Sequence, residues 1–84
     1  MIARIYVQLK PDVSDPRGIA IKGSLESLGF EHVDRVHVGK YFIVEMDDEL
    51  EPALAEENIR SMCEKLLSNP VIENYEFTIE ESKQ

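Results

Sequence analysis

The stretch Val33–Asp48, VDRVHVGKYFIVEMDD, decides the fold. Its apolar residues alternate on both sides of Gly39-Lys40, so it reads as two strands meeting at that dipeptide. Parity separates two forms of the joint. A strict two-residue turn sets Val36 and Val38 on the face of Tyr41 and Ile43. A bulge at Gly39 sets them with Phe42, Val44 and Met46, which assembles the more apolar face, and this is the register expected.

Working outward, residues 2–10, IARIYVQLK, alternate as a strand. Ala3, Ile5, Val7 and Leu9 form one face and Ile2, Arg4, Tyr6 and Gln8 the other. Pro11 ends the run because it has no N–H to give a ladder. SDPRG at 14–18 starts a helix: Asp15 accepts from the free N–H groups of the first turn and Pro16 fits the first helical position. Ile21, Leu25 and Leu28 follow as one stripe, and Gly29 stops the helix. Gly18 and Gly23 lie inside it, and each suggests close backbone approach to a neighbour.

Beyond Asp48, Pro52 opens a second helix over 52–68, with Ala55, Ile59, Met62 and Leu66 as its stripe and Cys63 and Leu67 widening it. Asn69 is placed to take the left-handed position at its end, and Pro70 forbids continuation. Residues 71–80 alternate as a last strand, and 81–84 are expected to fray. One domain over 1–80 results, in the order β-α-β-β-α-β. Right-handed crossovers turn this order into an α+β, ferredoxin-like two-layer sandwich: an antiparallel sheet with two helices on one face. The other face carries Ile2, Tyr6, Tyr41, Ile43 and Ile72, which points to a subunit interface in a homodimer or tetramer.

Composition limits the rest. At 84 residues and net charge −8, the chain is small and acidic. A domain of this size buries only about 60% of its unfolded surface, so association would help it. Residues 1–44 carry six Lys/Arg against five Asp/Glu, and 45–84 carry three against twelve. No basic stripe suits a phosphate backbone, so nucleic acid is excluded. No apolar run approaches the roughly 18 residues of a membrane span, no signal peptide is evident, and a lone Cys forms no disulfide framework. A cytoplasmic protein is expected.

The chemistry-bearing residues do not assemble into an active site. Cys63 lies on a buried stripe beside Glu64, the opposite of the electropositive setting a thiolate needs. His32 and His37 are five apart, which suits neither a helical nor a strand metal pair. DDELE at 47–51 lacks calcium-loop spacing and reads as a solvated start to the second helix. Arg17 and Lys40 are exposed basic points able to meet an acidic partner or an anion.

Taken together, DPRG, VGKY and CEKLLSNPVIENYEF (63–77) resemble the PurS family, the small subunit of phosphoribosylformylglycinamidine synthase. The resemblance runs from the first strand to Phe77. It implies a subunit without catalytic residues, bridging a synthetase chain (PurL) and a glutaminase chain (PurQ) in purine biosynthesis and aiding ammonia transfer between them. It implies no cofactor in this chain, with ATP, Mg and glutamine used by the partner chains. It also implies homodimers and dimers of dimers. The family's DPxG turn falls on Asp15, Pro16 and Gly18 with Arg17 variable, its GK hairpin on Gly39 and Lys40, and its NPVIxxY joint on Asn69, Pro70, Val71, Ile72 and Tyr75. These are interface candidates. The alternative from the residues alone is a ferredoxin-like module that binds a small regulatory ligand.

Overall fold

Strand β1 (Ile2–Leu9) is the middle of the sheet, antiparallel to both β2 (Gly39–Glu45) and β3 (Glu73–Glu80) in the order β2-β1-β3. This is a computed structural model describing residues 1–81, so most of the tail expected to fray lies outside the described residues. Strand register follows the alternation. Ala3 faces Val44 and Ile79, Ile5 faces Phe42 and Phe77, and Val7 faces Lys40 and Tyr75. Directly opposed residues share a face, so one face gathers Ala3, Ile5, Val7, Phe42, Val44, Tyr75, Phe77 and Ile79.

Helix α2 (Pro52–Met62) covers that face. Ala55 and Ile59 from the helix and Cys63 just beyond it are fully buried, together with Ala3, Ile5 and Val7. Phe42, Val44, Met46, Phe77 and Ile79 pack around them half-buried. Each fully buried Ile or Val contributes about 1.5–3 kcal/mol. The core is therefore thin and centred on β1.

The class expected from the sequence, an antiparallel sheet with two helices, is what the chain adopts. The strand expected over 33–38, however, does not form, and neither the two-residue turn nor the bulge exists. Residues 31–38 take no regular secondary structure and pair with no strand, and β2 begins at Gly39 itself, opposite Gln8. This strand position takes glycine because a Cβ there would stand 2.7 Å from the carbonyl oxygen of Val7. Phe42, Val44 and Met46 nevertheless occupy the helix-covered side, as the favoured register required.

Helix α1 (Pro16–Ser27) starts and stops as expected. Asp15 caps it, accepting from the Gly18 N–H at 3.0 Å, and Pro16 is in its first turn. At the other end Gly29 has φ +96°, with Gly29 N–H donating to Glu26 and Phe30 N–H to Leu25, a Schellman closure. Of this helix only Gly18 is buried. Ile21 is 42% exposed and Leu28 74%, so the apolar stripe is bare except at the half-buried Leu25. The radius of gyration is 16.6 Å over extents of 51 × 33 × 15 Å. A compact chain of this length has a radius of about 12 Å. Helix α1 and residues 31–38 therefore form an arm that projects from the sheet.

After α2 the backbone continues through a π-helical turn, Cys63–Leu67, and stops at Ser68. The left-handed Asn69 expected there is not found: the positive φ values among the described residues are at Gly29 and His32. Ser68 ends the helix instead. Its backbone is extended, and its N–H and hydroxyl both donate to the Cys63 carbonyl, at 2.9 and 2.8 Å. The last strand begins at Glu73 rather than Val71, which leaves Ile72 in the turn before it.

Candidate functional site

The three motifs meet along one line at the Gly39 end of the sheet. Asp15 does more than cap its helix. Its second carboxylate oxygen accepts from the Val38 N–H at 2.9 Å, tying α1 to the chain 23 residues on. These two backbone donors hold the Asp15 carboxyl below its ordinary range. Gly18 completes the clamp, because a Cβ there would lie 2.0 Å from the Val36 carbonyl oxygen. Close approach is thus real at Gly18. At Gly23, where it was also expected, nothing stands within 4 Å of an added Cβ. Arg17, between the clamp residues, is exposed.

One residue past Gly39, Lys40 lies on the helix-covered face and pairs with Glu73 at 3.4 Å. Glu73 also accepts from the Asn69 N–H at 2.7 Å. Asn69 in turn accepts from the N–H groups of Val71 (side chain, 3.1 Å), Ile72 (backbone, 3.1 Å) and Glu73 (backbone, 2.7 Å), while Pro70 is exposed in the same turn. Tyr75 lies opposite Val7, on the same cross-sheet row as Lys40. Its hydroxyl donates to Glu64 at 3.0 Å, and burial together with that carboxylate pushes it up from its ordinary pKa. So Asp15 is tied to the residue before Gly39, Lys40 is linked to Asn69 through Glu73, and Tyr75 lies across β1 from Lys40.

Glu73 was not singled out in the sequence, and Glu64 was noted only as the neighbour of Cys63. The available signal was their spacing: Glu73 stands four residues after Asn69 across a Pro turn, within reach of its N–H.

On the uncovered face of the sheet, Tyr6 and Tyr41 stack with ring centroids 4.9 Å apart and planes at 23°. Arg4 donates to the Tyr41 hydroxyl at 2.7 Å and pairs with Glu80. Tyr6, Tyr41 and Ile43 are exposed, at 46, 48 and 55%, and Ile2 is half-buried. Ile72 does not join this sheet face. It is 38% exposed in the turn, with its carbonyl accepting from Lys10 N–H at 2.8 Å.

Cys63 is fully buried, and burial with Glu64 beside it pushes the thiol up, away from the thiolate. Among the described residues no three of His, Cys, Asp and Glu are gathered to hold a metal ion, and no helix is long and apolar enough to cross a membrane. Asp15, Lys40, Asn69 and Tyr75 are engaged with backbone or with neighbouring carboxylates, and Tyr6, Tyr41 and Ile43 present an exposed apolar and aromatic surface. Such an arrangement offers surfaces for docking.

Comparison with known proteins agrees. The profile of the PurS family, described as phosphoribosylformylglycinamidine (FGAM) synthase, matches residues 2–81. The PurS subunit of phosphoribosylformylglycinamidine synthase from Synechocystis is 46% identical over 78 residues, covering 90% of this chain and 75% of that one. PurS of Methanocaldococcus jannaschii superposes with a TM-score of 0.85 at 34% identity, covering 98% of both chains. A chain of the PurLQS structure from Thermotoga maritima superposes with a TM-score of 0.78 at 32% identity, covering 93% of this chain and 96% of that one. A family match over nearly the whole sequence, with the same fold in each solved relative, leads to one conclusion: the chain belongs to the PurS family of phosphoribosylformylglycinamidine synthase subunits.

Proposed function

We propose that this chain is the non-catalytic assembly subunit of phosphoribosylformylglycinamidine synthase, bridging a PurL synthetase chain and a PurQ glutaminase chain. The observation that carries this reading is the likeness to a chain of PurLQS from Thermotoga maritima over 93% of the length. In this reading ATP, Mg and glutamine are used by the larger chains, the complex works in the cytoplasm, and this chain holds the two in register so that ammonia passes between them. The row from Asp15 through Lys40 to Asn69, Pro70 and Tyr75 is the partner-facing edge, with Arg17 and Pro70 exposed along it. The Tyr6–Tyr41–Ile43 face is a homo-oligomer contact.

Reconstitution tests the reading. Synthetase and glutaminase chains are assayed with glutamine and, separately, with ammonium. Adding this chain should raise glutamine-dependent turnover at least tenfold and leave ammonium-dependent turnover nearly unchanged. Equal glutamine-dependent rates with and without it would overturn the proposal.

A further inference from the structure

We infer that the outer edge of β3 takes up an extended segment of a partner chain as a further strand, apolar on the side under α2 and bearing lysine or arginine on the other. The inference rests on the proposed assembly role and names the chemistry of one of its contacts.

The edge is open and long enough to pair. β3 is hydrogen-bonded to β1 on one side, and among the described residues no strand lies on the other. Its eight residues extend over about 26 Å, at roughly 3.3 Å each. The outward N–H and C=O groups of such an edge are a template for an added strand. The side under α2 is also unfinished. Ile5 lies between Phe42 and Phe77 and is fully buried, whereas Phe77 has a strand on one side only and is half-buried, as are Tyr75 and Ile79. Arg60 of α2 reaches over the Phe77 ring, 5.6 Å from its centroid, and pairs with Glu56 at 3.0 Å. Helix and strand edge thus bound a groove of about 580 Å³, lined by Glu56, Arg60, Tyr75, Glu76, Phe77 and Ile79. A strand added at the edge sets alternate side chains into this groove and gives Phe77 the second flank that Ile5 has.

Charge selects the occupant. β3 carries Glu73, Glu76 and Glu80 and no Lys or Arg, while β2, at the opposite edge of the sheet, carries one residue of each sign, Lys40 and Glu45. Glu73 is paired with Lys40 and Glu80 with Arg4. Glu76, near the middle of the strand, is exposed on the uncovered side opposite Tyr6 and makes no ion pair among the described residues. It is the anchor for a lysine or arginine on the incoming strand. Two copies of β3 set edge to edge about their middle bring two Glu76 side chains together, and like charges across a strand pair oppose it. A basic segment of another chain is therefore favoured over a second copy. The groove also begins at Tyr75, the last residue of the partner-facing row, so one partner can engage both.

The test follows backbone exchange in the assembled complex. The full chain is placed in deuterium oxide alone, at low and high concentration, and after mixing with the synthetase and glutaminase chains. Exchange is read by mass spectrometry on the fragment holding 73–80, with light scattering on the same samples. The expected result is exchange at least tenfold slower in the complex and independent of concentration for the chain alone. A complex in which 73–80 exchanges as it does in the chain alone overturns the edge contact and leaves the assembly role standing. Failure of any complex to form overturns both. Protection that grows with the concentration of the chain alone puts a second copy on the edge and overturns the inference. Glu76→Lys gives an independent check: the site is exposed, so the variant should keep its circular dichroism and lose affinity for the partner chains at least tenfold. Glu31→Lys makes the same change of charge at an exposed residue outside the sheet and should shift that affinity less than twofold. Equal weakening by both variants, or by neither, overturns the inference.

Discussion

Two glycines in one helix give the sharpest test of the clamp. Replacing Gly by Ala inside a helix stabilises it by about 1 kcal/mol when nothing else changes. Gly23→Ala meets that condition, since no atom lies within 4 Å of the added Cβ. Gly18→Ala does not, because its Cβ would stand 2.0 Å from the Val36 oxygen, where ordinary contact begins at 3.4 Å. The carbonyl must retreat by about 1.4 Å, and overpacking of this kind costs about 1–3 kcal/mol. The same chemical change five residues apart is therefore expected to give stabilities that differ by about 1–3 kcal/mol, with Gly23→Ala the more stable variant. For a chain of this size the gap corresponds to melting temperatures separated by roughly 5–20 °C. Thermal unfolding followed by circular dichroism checks it, at one fixed protein concentration because association shifts the midpoint. Amide exchange at Val38 supplies the local readout and should quicken in Gly18→Ala only. If Gly18→Ala melts as high as Gly23→Ala and Val38 stays protected, the clamp has no energetic role and the reasoning fails.

Other outcomes follow from the same geometry. Ile59→Ala removes a fully buried side chain from the centre of the core and should destabilise by about 2–5 kcal/mol in urea unfolding. Asp15 has a depressed pKa, so its contribution is present above the ordinary carboxylate range and lost as pH falls through the folded value; Asp15→Asn should flatten the acid limb of the stability–pH profile. Cys63 and Tyr75 are raised, so their contribution is complete below the ordinary thiol and phenol ranges and lost as pH rises through the folded values. Cys63 should accordingly alkylate at the rate of global opening at neutral pH, and rapid labelling of the native protein would contradict its burial. Tyr41→Ala should alter monomer stability by under about 1 kcal/mol, since half the ring is already exposed; a large loss in unfolding experiments would show the tyrosine stack to be structural.

Much of the fold was legible because it is local. Alternation in IARIYVQLK fixed which side of β1 is buried, and Asp15-Pro16 with Gly29 fixed both ends of α1 from chemistry within one turn. Gly39 was misread for a physical reason. Glycine serves a turn and a close strand approach equally well, and only the position of the Val7 carbonyl tells them apart. Asn69 was misread in a similar way, since Ser68 one residue earlier already satisfies the Cys63 carbonyl and leaves Asn69 to organise the turn. The interface candidates were legible as motifs, whereas their convergence through Val38 and Glu73 was not. That depends on contacts 23 residues apart in one case and across β1 in the other.

The position of β1 has a consequence for how the chain is made. The central strand precedes both of its partners in the chain, and the second of them, β3, follows α2, with Ile2 opposite Glu80 and Leu9 opposite Glu73. Native sheet order therefore cannot be completed until β3 has been made, and its contacts join residues far apart in the sequence. Topologies of this kind fold slowly and leave apolar strand edges open meanwhile. Helix α1 and its clamp, by contrast, need only residues 15–38 and can form on a nascent chain well before the sheet closes.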